Sequence, residues 1–147
     1  MQLADFNVAR MRGPIDSPVM QGFVDGLERI NALADASPGF VWRLADDSGS
    51  ATAYRPFPDD DVIINLAVWE SVEALRSYVY KSDHVTFLRS RREWFLPWGD
   101  TPFLVLWWVP DGHRPTVSEA MARLALLAAD GPTAEAFTFR SVFEPVA

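Results

Sequence analysis

The chain of 147 residues contains no cysteine and only two histidines, His84 and His113. The lack of cysteine excludes disulfides, thiolate catalysis and any zinc or iron–sulfur site with cysteine ligands. A histidine-rich metal site within one subunit is not expected either. The sequence has no P-loop, no GxGxxG motif and no GxSxG elbow, so nucleotide-dependent chemistry and serine hydrolysis have no local support. We therefore expect no cofactor.

Net positive charge and long apolar runs are lacking as well. The 13 basic and 20 acidic residues give a formal charge of −7, which argues against a nucleic-acid partner because such proteins need a basic face. No apolar run approaches the ~20 residues that span a bilayer, and the N-terminus has no secretion signal. These features predict a cytoplasmic protein that does not interact with a membrane.

Aromatic residues, in contrast, are abundant. They make up 13% of the chain and include six tryptophans, and 49% of all residues are hydrophobic. This composition predicts one globular domain over residues 1–147. Because large rings carry much of the energy of cores, ligand pockets and interfaces, it also favours a dimer or an aromatic-lined cavity.

Hydrophobic periodicity and capping residues predict a regular order of strands and helices. Ser71 and Ser82 are expected to cap two consecutive helical segments, and Thr116 with Glu119 forms a capping-box pattern. Residues 46–61 are acidic and rich in proline and small residues, which predicts a long exposed loop. Strands are predicted at residues 3–10, 40–44, 62–68, 103–109 and 137–143, and helices at 17–36, 71–95 with a break near Lys81, and 116–130.

The first six elements follow the order β-α-β-β-α-β, and a helix and a strand come after them. This order is typical of a ferredoxin-like α+β protomer, an antiparallel sheet with helices on one face. Strands 62–68 and 103–109 are apolar on both sides, so a monomer would expose a large apolar patch, which proteins in water avoid. We therefore predict a homodimer in which two sheets pack face to face.

Three segments resemble a known family: LADFNVARMRGPIDSPVMQGFVDGLERINALADASPGFVWRL, SDHVTFLRSRREWF and GPTAEAFTFRSVF. The resemblance covers essentially the whole chain and is to an uncharacterised bacterial family of unknown function. That family lies near the antibiotic-biosynthesis-type monooxygenases, in the dimeric α+β-barrel superfamily. The resemblance implies a barrel across the dimer and a pocket between sheet and helices. It does not supply a reaction, because one fold hosts many chemistries.

His84 is the strongest candidate for a catalytic residue. It falls in the first turn of a predicted helix, where the positive end of the dipole disfavours imidazolium and favours a neutral base. Arg91 follows at i+7 on the same face and could hold a carboxylate or oxyanion. The alternative explanation is structural: His84 bonds a neighbouring backbone group and locks the break between the two helical segments.

Asn65 is the third candidate, because it interrupts an apolar strand. A buried amide without a partner costs about 1–3 kcal/mol, so a protein or ligand group should satisfy it. By alternation, Asn7 and Arg43 could point to the same side of the sheet. A group of aromatic residues is expected to bind the substrate, although several could equally fill the core or the dimer interface: Trp42, Trp69, Tyr78, Phe87, Trp94 and Trp108.

These residues lead to a hypothesis about function. The protein is expected to bind a small hydrophobic or aromatic molecule. If it is an enzyme, it would be a cofactor-independent monooxygenase or isomerase in which His84 removes a proton while Arg91 and Asn65 stabilise the anion. A non-catalytic binding or scaffolding protein, or a haem-binding protein, remains an alternative.

Overall fold

The computed structural model describes residues 1–45, 55–82 and 84–146 of the chain. The described part of the predicted loop, residues 55–61, has no regular structure, and residues 46–54 lie outside the description. The strands are β1 (Gln2–Met11), β2 (Phe40–Arg43), β3 (Val62–Trp69), β4 (Phe95–Leu96) and β5 (Leu104–Val109). The helices are α1 (Gln21–Asp35), α2 (Val72–Lys81), α3 (His84–Arg89), α4 (Arg91–Trp94) and α5 (Val117–Asp130).

The sheet has β1 at its centre. β1 pairs with β3 on one side, from Leu3 opposite Trp69 to Arg10 opposite Val62, and β3 pairs with β2. On its other side β1 pairs with β5 and, at its end, with the short β4. All pairs are antiparallel, so the order β2-β3-β1-β5 is that of a ferredoxin-like sheet. The predicted α+β class and antiparallel sheet are therefore confirmed.

Helices α1 to α4 lie on one face of the sheet, as predicted, but α5 covers the other face, which was expected to be open in a monomer. Helices α1 to α4 cover the face that carries Leu3, Asp5 and Asn7, whereas α5 packs against the other face, which carries Ala4 and Phe6. Helix α5 packs Ala120, Leu124 and Leu127 against the apolar residues of this face, which we expected to be exposed in a monomer. That face therefore needs no partner subunit to shield it, and dimerisation stays a prediction.

The segment after α5 is not a strand, contrary to expectation. Phe137 alone pairs with the sheet, by two backbone hydrogen bonds of 2.8 Å with Leu106. A turn follows at once, because the Ser141 amide donates to the Thr138 carbonyl. The alternating phenylalanines instead contribute to the core on the α1–α4 side, where Phe137 is fully buried and Phe143 packs against it.

The ends of the helices follow the predicted caps only in part. Ser71 Oγ accepts from the Ala74 amide, and α2 ends at Lys81, as predicted. The following helical stretch breaks again at Ser90, which the sequence did not indicate. Thr116 Oγ1 caps α5 by accepting from the Glu119 amide, but the Glu119 side chain does not complete a capping box. It binds Trp107 and His113 instead.

Candidate active site

A cleft of about 830 Å³ lies between the sheet and helices α1 to α3. Its floor is the face of β1 and β3 that carries Asp5, Asn7 and Asn65, and its end is formed by residues 138–140. This volume falls within the range of small-molecule sites. The family resemblance implied a pocket between sheet and helices, and the cleft occupies that position.

One side of the cleft is a continuous aromatic wall. The Phe87 ring lies 4.8 Å from Trp94 and 5.7 Å from Phe23, and Phe23 in turn meets Phe95 edge-on at 5.1 Å. Tilted and edge-to-face rings at these distances attract one another and hold their positions. The wall therefore offers a preformed apolar surface for an aromatic ligand.

Two glycines in α1 allow this wall to form. A Cβ atom at Gly26 would lie 2.5 Å from the Phe87 ring, and one at Gly22 would lie 3.0 Å from Trp94 Nε1. Glycine lowers the stability of a helix interior by about 1 kcal/mol relative to alanine. Its use at both positions lets the aromatic side chains pack directly on the helix backbone.

The floor of the cleft is polar. Asn7 and Asn65 lie directly opposite each other on β1 and β3, and Asp5 is two residues from Asn7 on the same face. Asn65 is exposed at the cleft surface, so it is not the buried amide that the sequence suggested and needs no protein partner. Arg43 also lines the cleft and pairs through two nitrogens with Asp35, at 2.8 and 3.2 Å.

Asp5 is the most unusual group in the floor, because only 5% of it is exposed. Its carboxylate accepts one hydrogen bond, from Asn7 Nδ2 at 3.5 Å. Burial raises the pKa of Asp5 from 3.8 to about 7, and this effect exceeds the opposing effect of the hydrogen bond from Asn7. Asp5 therefore changes its protonation state near neutral pH.

His84 opens α3 at the break after α2. Its backbone amide donates to Ser82 Oγ at 3.2 Å, and its ring Nδ1 lies 3.3 Å from the Val79 carbonyl. A carbonyl can only accept, so Nδ1 carries the proton and Nε2 keeps its lone pair. Burial lowers the pKa of His84 despite the bond to Val79. The ring is therefore a neutral base, and the main cause is burial and not the helix dipole that the sequence suggested.

Tyr78 orients the histidine. Its ring stacks on Trp69 with centroids 5.1 Å apart and contacts the His84 ring at 4.8 Å. The Tyr78 hydroxyl donates to the Ile30 carbonyl at 3.2 Å, which ties α2 to α1. Burial, and then the charge of Asp5, raise the pKa of Tyr78, so the phenol stays protonated. Tyr78 is a fixed neutral side chain in the cleft.

Arg91 lies at the rim of the cleft and is exposed. Its guanidinium lies 5.4 Å from the centre of the exposed Phe103 ring, a cation–π distance. Arg91 and His84 both line the cleft, but they lie on separate helices, because the helical stretch breaks at Ser90. The position of Arg91 favours contact with a group at the mouth of the cleft rather than at the floor.

Only some of the predicted aromatic residues meet at the cleft. Tyr78, Phe87 and Trp94 line it, and Trp69 lines a cavity of about 40 Å³ next to Asp5. Trp42 and Trp108 do not, contrary to expectation. A register shift after Phe40 turns Trp42 to the α5 side of the sheet. The indole of Trp108 donates to the Phe143 carbonyl outside the cleft.

Asp5 was not among the candidates, although the sequence carried a signal for it. Asp5 and Asn7 are polar residues on one face of a strand whose other face is apolar at Ala4, Phe6 and Val8. Within the described residues, no group of three or more His, Asp or Glu side chains is arranged to hold a metal ion. No helix in this part of the chain is long and apolar enough to cross a membrane.

Comparison with known protein families supports the resemblance found in the sequence. A domain of unknown function, DUF3291, matches residues 2–147. The chain belongs to the DUF3291 family. The predicted membership in a family of unknown function is thereby confirmed. None of the curated proteins matches the sequence.

Solved structures similar to this DUF3291 chain include SnoaB, a cofactor-independent oxygenase from Streptomyces nogalater, with a TM-score of 0.53 and 19% identity. The match covers 80% of this chain and 98% of SnoaB. Protein YJCS has a TM-score of 0.50 at 13% identity, covering 75% of this chain and all of YJCS. The monooxygenase ActVA-Orf6 of Streptomyces coelicolor, solved with nanaomycin D, gives 0.49 at 17% identity, covering 78% and 93%.

The likeness of this DUF3291 chain to SnoaB extends over nearly all of that oxygenase. At such low identity it shows that the two chains share a fold, the α+β fold of the antibiotic-biosynthesis-type monooxygenases. Activity does not follow from the fold. Any chemistry has to be argued from the side chains in the cleft.

Proposed function

We propose that this protein is a cofactor-independent oxygenase that binds a small aromatic substrate in the cleft. The observation that carries the proposal is His84, a neutral imidazole whose Nε2 has no partner among the described residues and which lines a cleft with an aromatic wall. A base of this kind is what removal of a proton from a weakly acidic carbon requires. The shared fold with SnoaB agrees with this chemistry.

The proposed substrate has a CH₂ group that joins two aromatic rings, at least one of which is conjugated with a carbonyl group. His84 Nε2 takes one proton from that carbon, and the electron pair spreads into the carbonyl as an enolate. The enolate reduces O₂ by one electron, and the resulting carbon radical and superoxide combine to a peroxide anion on the same carbon. The imidazolium of His84 returns its proton to this anion, which gives a hydroperoxide and restores the neutral base. Loss of water then leaves a carbonyl, so the CH₂ group and O₂ become C=O and H₂O.

The side chains around His84 fit the charges in this sequence. The Asn7 and Asn65 amides can donate to the enolate oxygen as it becomes negative, which is the main electrostatic requirement of such a step. Tyr78 fixes the imidazole plane from one side. Arg91 at the rim is placed to contact an acidic substituent that remains at the mouth. The aromatic wall orients the substrate ring and limits access of water.

The two histidines provide a matched test with anthrone as the probe substrate. We expect the wild-type protein to accelerate O₂ uptake by anthrone above the buffer rate. His84→Ala should lose about 10²-fold or more of that acceleration, the usual contribution of a general base. His113→Ala, which changes an exposed histidine beside α5, should keep it. Oxygen consumption and the absorbance of the product give the rates.

The competing function is binding without turnover. A wild-type protein that binds anthrone, as seen by quenching of tryptophan fluorescence, but does not accelerate its oxidation would contradict the oxygenase and support this alternative. Equal rates of anthrone oxidation for His84→Ala and the wild type would also contradict the proposed oxygenase mechanism. A much lower melting temperature for His84→Ala, with no activity in either protein, would support a structural role for His84 at the helix break.

Haem binding and dimerisation are separate predictions for the same protein. Titration with haem should produce a shifted Soret band that changes in His84→Ala if the cleft takes haem, whereas an unshifted spectrum contradicts this. Sedimentation at micromolar concentration decides the oligomeric state. A single-protomer mass contradicts the dimer, and the α5 cover of the sheet makes such a monomer compatible with the fold.

A further inference from the structure

The cleft has a polar floor and an aromatic wall, and the Asp5 carboxylate in the floor has fewer hydrogen-bond donors than it can accept. Only 5% of the surface of Asp5 is exposed. Within the described chain its carboxylate nevertheless accepts a single hydrogen bond, at the long distance of 3.5 Å. A carboxylate can accept about four. Buried polar groups are nearly always better satisfied than this. No fully enclosed side-chain oxygen of the described residues lacks a partner, so the remaining acceptor sites of Asp5 open to the cleft and can be met from there.

Neighbouring side chains do not meet that need. The Tyr78 hydroxyl, whose side chain lines the same small cavity as Asp5, donates its hydrogen bond to the Ile30 carbonyl. Arg43, the cation that lines the same floor, directs two nitrogens to Asp35. The Asn65 side chain forms no hydrogen bond with any described group and stands open to the cleft, two positions along the floor from Asp5. The free acceptor capacity of Asp5 therefore faces the space that a ligand would occupy.

We propose that Asp5 accepts a hydrogen bond from a hydroxyl group of the ligand, so that the cleft selects hydroxylated aromatic molecules over otherwise identical ones without a hydroxyl donor. The position of Asp5 on β1, below the aromatic wall, places this hydroxyl at the floor while the ring lies against Phe23 and Phe87. The Asn7 and Asn65 amides lie beside the same point and can donate to the hydroxyl oxygen.

This inference names the substrate class for the proposed function, but its physical basis is binding and not turnover. A hydrogen bond to a charged acceptor in a buried site discriminates strongly, because a ligand without the donor leaves the carboxylate unpaired. The rival explanation is a water molecule in the adjoining cavity of about 40 Å³, which is large enough to hold one. A water that satisfies Asp5 permanently would give no preference among ligands.

The test uses 2-naphthol and 2-methoxynaphthalene, in which a methyl group replaces the hydroxyl proton. A preference that came from the size of this methyl group would persist in a variant without the Asp5 carboxylate. Their dissociation constants are measured by fluorescence titration at pH 8, where Asp5 is mostly ionised and the naphthol still carries its proton. We expect the wild-type protein to bind 2-naphthol at least about ten-fold more tightly, as the loss of a charged hydrogen bond implies. Asp5→Leu should remove that preference and bind 2-methoxynaphthalene no less well than the wild type does.

A second variant shows whether a lost preference in Asp5→Leu comes from misfolding. Asp5→Asn keeps the shape and one acceptor oxygen, so it should retain part of the preference for 2-naphthol. No preference in the wild type, or an equal preference in Asp5→Leu, would overturn the assignment. Failure of both naphthalenes to bind the wild type would overturn it together with the aromatic cleft.

The outcome also separates this inference from the oxygenase. His113→Ala, which changes a histidine outside the cleft, should keep the ten-fold preference and serves as the control. If the preference is present and depends on Asp5 while anthrone turnover is absent, the oxygenase fails and the hydroxyl site stands. If anthrone is turned over but no preference exists, the reverse holds.

Discussion

The two faces of the sheet differ in packing: one is closed by an apolar core and the other borders an open cleft. On the α5 face, strand residues such as Phe6 and Trp107 are fully buried against Leu124 and Leu127, and the packing is continuous. On the α1–α4 face, the same strands carry Asp5 and Asn65, and the helices leave a cleft of about 830 Å³. Continuous packing stabilises the fold, whereas an open polar floor lowers stability and is expected where a ligand binds.

The largest test of this contrast compares one phenylalanine from each face. Phe6→Ala empties a fully buried site in the α5 face, so we expect the free energy of unfolding to fall by about 3–5 kcal/mol. Phe87→Ala removes a half-buried ring of the cleft wall and should cost about 1–2 kcal/mol. Urea denaturation gives both values. Equal losses would mean that the aromatic wall is part of the structural core.

Asp5 should make stability depend on pH. Its pKa is about 7 in the folded protein and 3.8 is the ordinary value, so between these pH values the unfolded chain releases a proton that the folded chain retains. Stability must therefore fall as the pH rises from about 4 to 7 and stay low above 7, by about 4 kcal/mol at most. In Asp5→Asn this decrease should be absent.

Other groups near Asp5 do not imitate this effect. Burial keeps Tyr78 protonated, Arg43 is paired with Asp35, and the lowered pKa of His84 acts equally in the wild type and the variant. Urea denaturation of both proteins at pH 4.5 and pH 8 measures the difference. Asp5→Asn should gain stability over the wild type at pH 8 and much less at pH 4.5. A gain that does not change with pH contradicts the burial of a titrating carboxyl.

Most of the fold could be predicted from the sequence because its signals are local. The alternation of β1, the Ser71 cap and the break at Lys81 all depend on residues within a few positions of one another, and each is present. The cover of the second sheet face could not be predicted in this way. Helix 116–130 was recognised, but its docking on Phe6 depends on contacts across more than a hundred residues.

The candidate site was predicted in part for the same reason. His84, Tyr78, Phe87 and Trp94 lie on helices whose faces can be read from spacing, and all four line the cleft. Trp42 was misplaced because a one-residue register shift turns a strand side chain to the opposite face, and such shifts leave no clear mark in a sequence. Asp5 was missed as a site residue because its burial is produced by helices distant in sequence.

A smaller test concerns the polar link inside the α5 face. Trp107 is fully buried, and its indole Nε1 donates to Glu119 at 3.0 Å. Glu119→Ala leaves this donor unpaired and should cost about 1–3 kcal/mol. Glu119→Gln keeps an acceptor and should cost less, while Glu135→Ala, at an exposed carboxylate, should change stability by about 0.5 kcal/mol or less. Similar losses for Glu119→Ala and Glu135→Ala would show that the link contributes nothing.

The smallest effects should come from the two helix caps, and they sharpen the comparison of the faces. Ser71 caps α2 on the cleft side, and Thr116 caps α5 on the closed side, each by accepting from a backbone amide at 3.1 Å. Replacing either by alanine should therefore cost about 1 kcal/mol, seen as similar decreases in urea midpoint. Their effects on binding should differ, since α2 carries Tyr78 and leads directly to His84. Ser71→Ala should weaken the binding of 2-naphthol, whereas Thr116→Ala should leave it unchanged. If Thr116→Ala weakens binding equally, the sheet transmits strain from one face to the other, and the two faces cannot have separate roles.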